Sequence, residues 1–127
     1  MADRPPSSTF CWNELMTSDV NGCGKFYGQL FGWTPQAVPM GPMTYNLFKK
    51  DGKDVGGMMQ ITANMGNVPP HWLAYVAVDD CDASAKRAEQ LGGKICVPPT
   101  DIPNVGRFAL VTDPVGATLG IIKLSPK

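Results

Sequence analysis

An internal repeat constrains the fold of this chain more than any other feature of its sequence. A shift of 61 positions lays residues 12–33 over residues 73–94 without a gap. The identical pairs under this shift are Asp19 and Asp80, Lys25 and Lys86, Gln29 and Gln90, Leu30 and Leu91, and Gly32 and Gly93. A repeat of this length predicts two copies of one supersecondary unit.

Each copy begins with a strand pattern and continues with a helix pattern. Apolar residues alternate around Val76, which indicates a half-buried strand. Asp19 and Asp80 follow the two strands, where a carboxylate can accept hydrogen bonds from the first N–H groups of a helix. Apolar side chains then recur at spacings of three and four as far as Gly32 or Gly92, and glycine favours a helix end.

The rest of each copy is predicted to be a short strand and a hairpin. The short strands are "TPQAV" and "KICVP". The hairpins turn at Asp51-Gly52 and at Asp113–Gly116, which are sequences typical of tight turns. Each copy is therefore a βαβββ module, and the fold class is α+β with tandem modules.

Length and charge limit the kinds of protein that this chain can be. A chain of 127 residues fits one domain, with modules at residues 8–62 and 70–125 joined by a linker at 62–70. Eleven basic residues balance eleven acidic ones, so no nucleic-acid partner is predicted. No apolar run approaches the ~20 residues of a membrane span, and the first residues do not form a signal peptide. A cytoplasmic protein without a membrane partner is expected.

The four cysteines are expected to be reduced thiols. Cys11, Cys23, Cys81 and Cys96 form no C-x-x-C pair, and no histidine clusters with them. A nucleophilic cysteine that uses the single histidine, His71, as its base stays open as an alternative.

Three segments resemble the vicinal oxygen chelate superfamily, which includes glyoxalase I, bleomycin-resistance proteins and extradiol dioxygenases. They are "ELMTSDVNGCGKFYGQLFGW", "YVAVDDCDASAKRAEQLGG" and "VTDPVGATLGII". The resemblance implies the glyoxalase/bleomycin-resistance-like fold, in which the curved sheets of two βαβββ modules enclose a cavity. In metal-dependent members, His, Gln or Glu side chains in that cavity hold a divalent ion that chelates two adjacent oxygens of the substrate.

The positions at which the family carries its metal ligands hold no ligand in this chain. Counting from the strand-ending aspartates and the hairpin glycines, these positions are Trp12, Gly57, Leu73 and Gly120. Divalent ions need imidazole, carboxylate, amide oxygen or thiolate ligands, so neither a metal nor another cofactor is expected. Two positions away, Glu14 and His71 form the remaining candidate pair for an atypical metal site.

Strand alternation predicts which side chains face the cavity. Asn13, Leu15 and Thr17 are expected to face the helix layer. The predicted ligand-binding set consists of Trp12, Glu14, Gly57, Met59, His71, Leu73, Tyr75 and Gly120. Such a pocket suits a flat organic molecule, with the glycines leaving room for it. Two plainer possibilities stay open: the side chains fill the space as core, and Glu14 forms an ion pair with a residue such as Arg107.

Several functions are compatible with this pattern. The first is a metal-independent binding protein for a small, flat or aromatic molecule. The second is a metal-dependent lyase or dioxygenase-type enzyme with an atypical site around Glu14 and His71. The third is a metal-free enzyme in which Glu14 is the general base. A regulatory module is a further possibility, and in each case a homodimer is expected.

Overall fold

The tandem βαβββ order predicted by the repeat is confirmed by the structure. The computed structural model describes residues 6–40, 43–62, 68–102 and 105–125. In these residues the elements are β1 Phe10–Thr17, α1 Val20–Phe31, β2 Thr34–Met40, β3 Met43–Lys50, β4 Lys53–Gln60, β5 His71–Ala77, α2 Cys81–Gln90, β6 Lys94–Ile102, β7 Gly106–Thr112 and β8 Thr118–Leu124. β2 and β6 extend beyond the predicted short strands, because each lies at the end of its sheet order, where prolines such as Pro39 and Pro98 are tolerated.

The chain divides into two compact units. The first unit is Trp12–Leu73, and the second combines Met1–Cys11 with Ala74–Lys127. Within the second unit, the N–H of Ser8 donates to the carbonyl oxygen of Ala77 at 2.6 Å, and the N–H of Ala77 donates to Thr9 at 2.8 Å. Residues 63–67 of the predicted linker lie outside the described residues, and the module boundaries stay a prediction.

The first unit is a half-sheet covered on one face by α1. Its strands are ordered β2, β3, β4, β1, with β1 and β4 parallel and the other neighbours antiparallel. Leu15, Phe48 and Met58 form the core beneath the helix. Burial of three such side chains, each contributing about 1.5–3 kcal/mol, stabilises a helix whose three glycines weaken it.

Both ends of α1 follow from local chemistry. The Oδ1 of Asp19 accepts a hydrogen bond from the N–H of Gly22 at 2.9 Å. At the other end, Gly32 adopts a φ of 76°, a left-handed conformation that glycine takes at little cost.

The second unit repeats this arrangement with smaller side chains. Its strands are ordered β5, β8, β7, β6, with β5 and β8 parallel. Asp80 caps α2 by accepting from the N–H of Ala83 at 3.0 Å. The core consists of Cys81, Ala85, Ala109, Val111 and Ile121.

Neither α1 nor α2, the helices of the described residues, has the length and apolar character that crossing a membrane requires.

Candidate functional site

The predicted alternation of faces along β1 is confirmed in the first unit. Leu15 belongs to the core beneath α1, and the hydroxyl of Thr17 lies 3.2 Å from the sulfur of Cys23 on that helix. The side chains of Trp12 and Glu14 lie on the opposite face, since both contact the side chain of Tyr45. We call this second face the inner face of the first unit.

Trp12, Tyr45 and Glu14 form a directed hydrogen-bond network, which we call the Trp–Tyr–Glu network. The indole N–H of Trp12 donates to Tyr45 Oη at 2.9 Å, and Tyr45 Oη donates to Glu14 Oε2 at 2.8 Å. An indole nitrogen is only a donor, so the tyrosine proton points toward the carboxylate. Glu14 is 7% exposed, and this bond offsets part of the free energy that burying a carboxylate costs.

Gly57 makes the position of Tyr45 possible. Gly57 lies directly opposite Glu14 in the parallel pairing of β1 and β4. A Cβ atom on Gly57 would overlap the hydroxyl and ring of Tyr45. The expectation that this glycine leaves room for a ligand is therefore wrong, because a tyrosine of the same unit occupies that room.

Tyr45 is the functional candidate that the sequence analysis missed. It lies two residues before Leu47, which pairs with Gly57 across the β3–β4 hairpin. The alternation of side chains along β3, counted back from the Asp51-Gly52 turn, would have placed the side chain of Tyr45 on the inner face. The register shift between Phe48 and Lys49 shows why such a count is uncertain by one residue.

The second unit has a corresponding pairing of tyrosine and glycine. Tyr75 lies opposite Gly120 in the parallel pairing of β5 and β8, and its ring occupies the space where a Cβ of Gly120 would be. The ring of Phe108 lies 6.5 Å from that of Tyr75 at 61°, an edge-on arrangement. Phe108 stands 63 residues after Tyr45, as Gly120 does after Gly57. The second unit thus has aromatic rings at the positions that correspond to the Trp–Tyr–Glu network of the first unit.

The other predicted site residues lie in the first unit. Met59 is half-buried opposite Met16 on the neighbouring strand. Leu73 is buried, and half-buried His71 places Nδ1 2.7 Å from the carbonyl oxygen of Pro69. The structure therefore brings Trp12 and Glu14 together through Tyr45, and pairs Tyr75 with Gly120 separately in the second unit.

The residues at the family's ligand positions do not fit a divalent ion. Trp12, Leu73 and the two glycines supply no ligand atom from a side chain, and tyrosine side chains cover both glycines. Among the described residues, no group of three or more His, Cys, Asp and Glu side chains is arranged to hold a metal. A mechanism through a bound metal does not follow from this donor set.

Arg107 has partners within its own unit. Its guanidinium donates to both carboxylate oxygens of Asp82, at 2.9 and 3.1 Å, and to Asp101 at 3.0 Å. The hydrogen bond from Arg107 lowers the pKa of Asp82, and the pKa of Arg107 is raised chiefly by Asp82 and then by Asp101. Both carboxylate partners of this guanidinium thus belong to the second unit.

Two of the cysteines, Cys11 and Cys81, do not have the properties of activated nucleophiles. All four are free thiols. Burial raises the pKa of Cys11, and burial followed by the charge of Asp82 raises that of Cys81. Because the thiolate is the reactive form, these shifts disfavour nucleophilic catalysis.

Known proteins of similar sequence cover almost the whole of this chain. A profile of the Glyoxalase/Bleomycin resistance protein/Dioxygenase superfamily matches residues 11–121. The chain is 38% identical over 122 residues to "Putative glyoxylase CFP32" of Mycobacterium tuberculosis (strain CDC 1551 / Oshkosh), covering 95% of this chain and 46% of the relative. It is 35% identical over 123 residues to "Anthracycline biosynthesis protein DnrV" of Streptomyces peucetius, covering 87% and 45%. The chain therefore spans about half the length of these relatives.

Solved structures share the fold at low sequence identity. Methylmalonyl-CoA epimerase from Mycobacterium tuberculosis matches with a TM-score of 0.68 at 13% identity, covering 99% of this chain and 94% of that chain. The hypothetical protein BH1468 from Bacillus halodurans C-125 matches with a TM-score of 0.69 at 7% identity, covering 96% and 98%. At these identities the likeness concerns the fold alone. Because the superfamily profile extends from Cys11 to Ile121, the chain belongs to the glyoxalase/bleomycin resistance protein/dioxygenase superfamily.

Proposed function

We propose that this protein binds a small, flat organic molecule on the inner face of the first unit without a divalent metal. The observation that carries the proposal is the Trp–Tyr–Glu network, which stands beside a family ligand position that cannot hold a metal. The indole of Trp12 offers a stacking surface worth ~0.5–1.5 kcal/mol beyond area burial. Glu14 and Tyr45 supply the polar groups that orient a ligand.

The chemical class of the ligand follows from the residues around the network. Met59, His71 and Leu73 come from the same unit and are proposed as flanking contacts. Tyr75 above Gly120 offers a second aromatic surface, and its part in binding is a separate proposal. The relative named for anthracycline biosynthesis supports a fused-ring ligand, since anthracyclines contain a planar ring system. The proposal keeps the cytoplasmic setting expected from the sequence.

A metal-free enzyme is the second candidate, and one observation favours it. The 2.8 Å hydrogen bond from Tyr45 to Glu14 joins a carboxylate to a group that can exchange a proton with it. In this alternative, Glu14 removes a proton from a carbon beside a carbonyl group. Deuterium exchange into acetylacetone, followed by NMR, tests it: the wild type would accelerate exchange and Glu14→Gln would not.

The binding proposal is tested by fluorescence titration with 2,6-dihydroxyanthraquinone as the probe. We expect Trp12→Ala to weaken binding about tenfold or more through loss of the stacking surface. Glu14→Gln should also weaken binding without lowering the unfolding temperature, because it removes a buried charge and keeps an acceptor oxygen. Binding should be the same with EDTA as with added Zn²⁺ or Mn²⁺.

Trp72→Phe is the matched control, because this tryptophan belongs to the same unit but packs near the core ring of Phe48 beneath α1. It should bind the probe as the wild type does. Equal loss of affinity in Trp12→Ala and Trp72→Phe would overturn the proposal, and so would binding that requires a metal. Unfolding of both Trp12→Ala and Glu14→Gln would show that these residues are core.

A further inference from the structure

The hydrogen-bond donors of the candidate site are directed at atoms of the first unit itself. The indole N–H of Trp12 donates to Tyr45 Oη at 2.9 Å, and the Tyr45 hydroxyl donates to Glu14 Oε2 at 2.8 Å. The 2.7 Å bond between His71 Nδ1 and the carbonyl oxygen of Pro69 places the proton on Nδ1, because a carbonyl oxygen only accepts. The donors of these three side chains are therefore used within the protein.

The polar atoms that the same residues can offer a ligand are acceptors. A carboxylate has about four lone-pair positions on its two oxygens, so the hydrogen bond from Tyr45 takes one of several on Glu14. With the proton on Nδ1, the Nε2 atom of a neutral His71 side chain is an acceptor. Met59 and Leu73, which flank the network in the proposed site, add apolar surface. The site thus combines an apolar surface with acceptors of hydrogen bonds.

We infer that the site selects an aromatic alcohol, which donates hydrogen bonds, over a ligand of the same ring system whose polar groups only accept them. This inference rests on the proposed function and deepens it, because it assigns the polar groups of the ligand. A hydroxyl of the ligand donates to the carboxylate of Glu14, and a hydrogen bond to a charged acceptor is stronger than one between neutral groups. A ligand that only accepts would place acceptor against acceptor, so both groups would lose water without gaining a bond.

Tyr45 is a positioning residue in this arrangement. Its ring lies over Gly57, and because its Oη accepts from Trp12, its own proton points at Glu14. The side chain at position 14 must therefore present an acceptor to Tyr45. In Glu14→Gln the amide oxygen should face Tyr45, so the NH2 group should take the place of the other carboxylate oxygen. This substitution therefore changes the polar atom turned away from Tyr45 from an acceptor to a donor.

Fluorescence titration with two naphthalene probes tests the inference at a pH of about 8, where imidazole side chains are ordinarily neutral. The hydroxyls of 2,6-dihydroxynaphthalene donate hydrogen bonds, whereas the carbonyl groups of 2,6-diacetylnaphthalene only accept them. We expect Glu14→Gln to shift the ratio of the two dissociation constants at least about tenfold in favour of the diacetyl compound. The ratio is measured because a loss of stacking or packing would weaken the binding of both probes alike.

Glu89→Gln is the matched control, because it makes the same substitution at an exposed position of α2 in the second unit. It should leave the ratio of dissociation constants as in the wild type. Tyr45→Phe tests the positioning role, since it removes the hydroxyl that orients the amide. In this background Glu14→Gln should shift the ratio much less than it does alone. An undiminished shift would overturn the role assigned to Tyr45.

The inference is overturned if both probes bind and Glu14→Gln leaves their ratio unchanged, and the proposed function then stands without it. It is also overturned if the wild type binds neither probe, and the anthraquinone titration then decides separately whether the proposed function fails too. If Glu14→Gln does not fold, the wild type still gives a test. It should bind 2,6-dihydroxynaphthalene at least about tenfold more tightly than 2,6-difluoronaphthalene, whose substituents do not donate, and equal affinities would overturn the inference.

Discussion

At the scale of single residues, two glycines are as informative as the side chains around them. Gly57 and Gly120 stand where the family carries metal ligands, and each accommodates a tyrosine side chain of its own unit. Each glycine is thus tied to the tyrosine that covers it, because a side chain at the glycine position would overlap that tyrosine. In the first unit the covering phenol donates a hydrogen bond to the carboxylate of Glu14.

Gly57→Ala should destabilise the protein by about 1–3 kcal/mol, because the added methyl group overlaps Tyr45. Most of this cost should vanish when Tyr45→Ala is already present, which gives a coupling free energy of similar size. Urea denaturation of the two single variants and the double variant measures it.

Gly120→Ala is the matched control for this cycle. The methyl group added at Gly120 would overlap Tyr75 and not Tyr45. Gly120→Ala should therefore lower the free energy of unfolding equally in the wild type and in the Tyr45→Ala background. If the changes in unfolding free energy caused by Gly57→Ala and Tyr45→Ala simply added in the double variant, Tyr45 would not occupy the space above Gly57.

At the scale of elements, the two units form the same βαβββ arrangement with different core side chains. Both helices are capped by an aspartate, but the core beneath α1 includes the ring of Phe48, whereas the core of the second unit is built from alanine, cysteine, valine and isoleucine side chains. The β7–β8 hairpin depends on Asp113, whose Oδ1 accepts from the N–H groups of Val115, Gly116 and Ala117 at 2.9–3.0 Å.

Asp113 should make the stability of this hairpin depend on pH. Hydrogen bonds from the N–H groups of Ala117, Val115 and Gly116 lower the pKa of its carboxyl group. A lowered pKa stabilises the fold above the ordinary value of roughly 3.9 and loses that effect as the pH falls through the lowered value. We expect Asp113→Asn to lower the unfolding temperature at neutral pH and to approach the wild type at acidic pH, once the carboxyl group of Asp113 is protonated.

Thermal unfolding followed by circular dichroism at both pH values tests this expectation. Glu89→Gln is the control, since this residue is exposed in the last turn of α2 and should change little at either pH. A difference between Asp113→Asn and the wild type that persists in acid would mean that the carboxylate charge is not its source.

At the scale of the whole molecule, each unit has a helix, a half-sheet and a core of its own, and neither core includes a metal ligand set. Because the donor set does not fit a divalent ion, added Zn²⁺ or EDTA should leave the unfolding temperature unchanged. A metal bound only to the folded state at a hundred times its Kd would add ~2.7 kcal/mol of stability. Scanning calorimetry checks this, with a metal-dependent member of the superfamily measured in parallel. A clear rise in the unfolding temperature with Zn²⁺ would contradict the conclusion that these residues do not fit a divalent ion.

The sequence by itself determined the features that depend on near neighbours along the chain. The period of two along β1 separates Glu14 from Leu15, and the aspartates before α1 and α2 cap them through N–H groups three residues away. The repeat then determines the order of the elements. These features were predictable because the alternation of side chains along a strand and the capping of a helix depend on residues that are close together in the sequence.

Only the tertiary structure decided which distant residues meet. Tyr45 reaches Glu14 across 31 residues, and this contact depends on the registers of β3 on β4 and of β4 on β1. The partners of Arg107 and the space above Gly57 depend in the same way on how strands align. A shift of one residue would send every side chain of a strand to the other face, and register is set by the whole set of pairings.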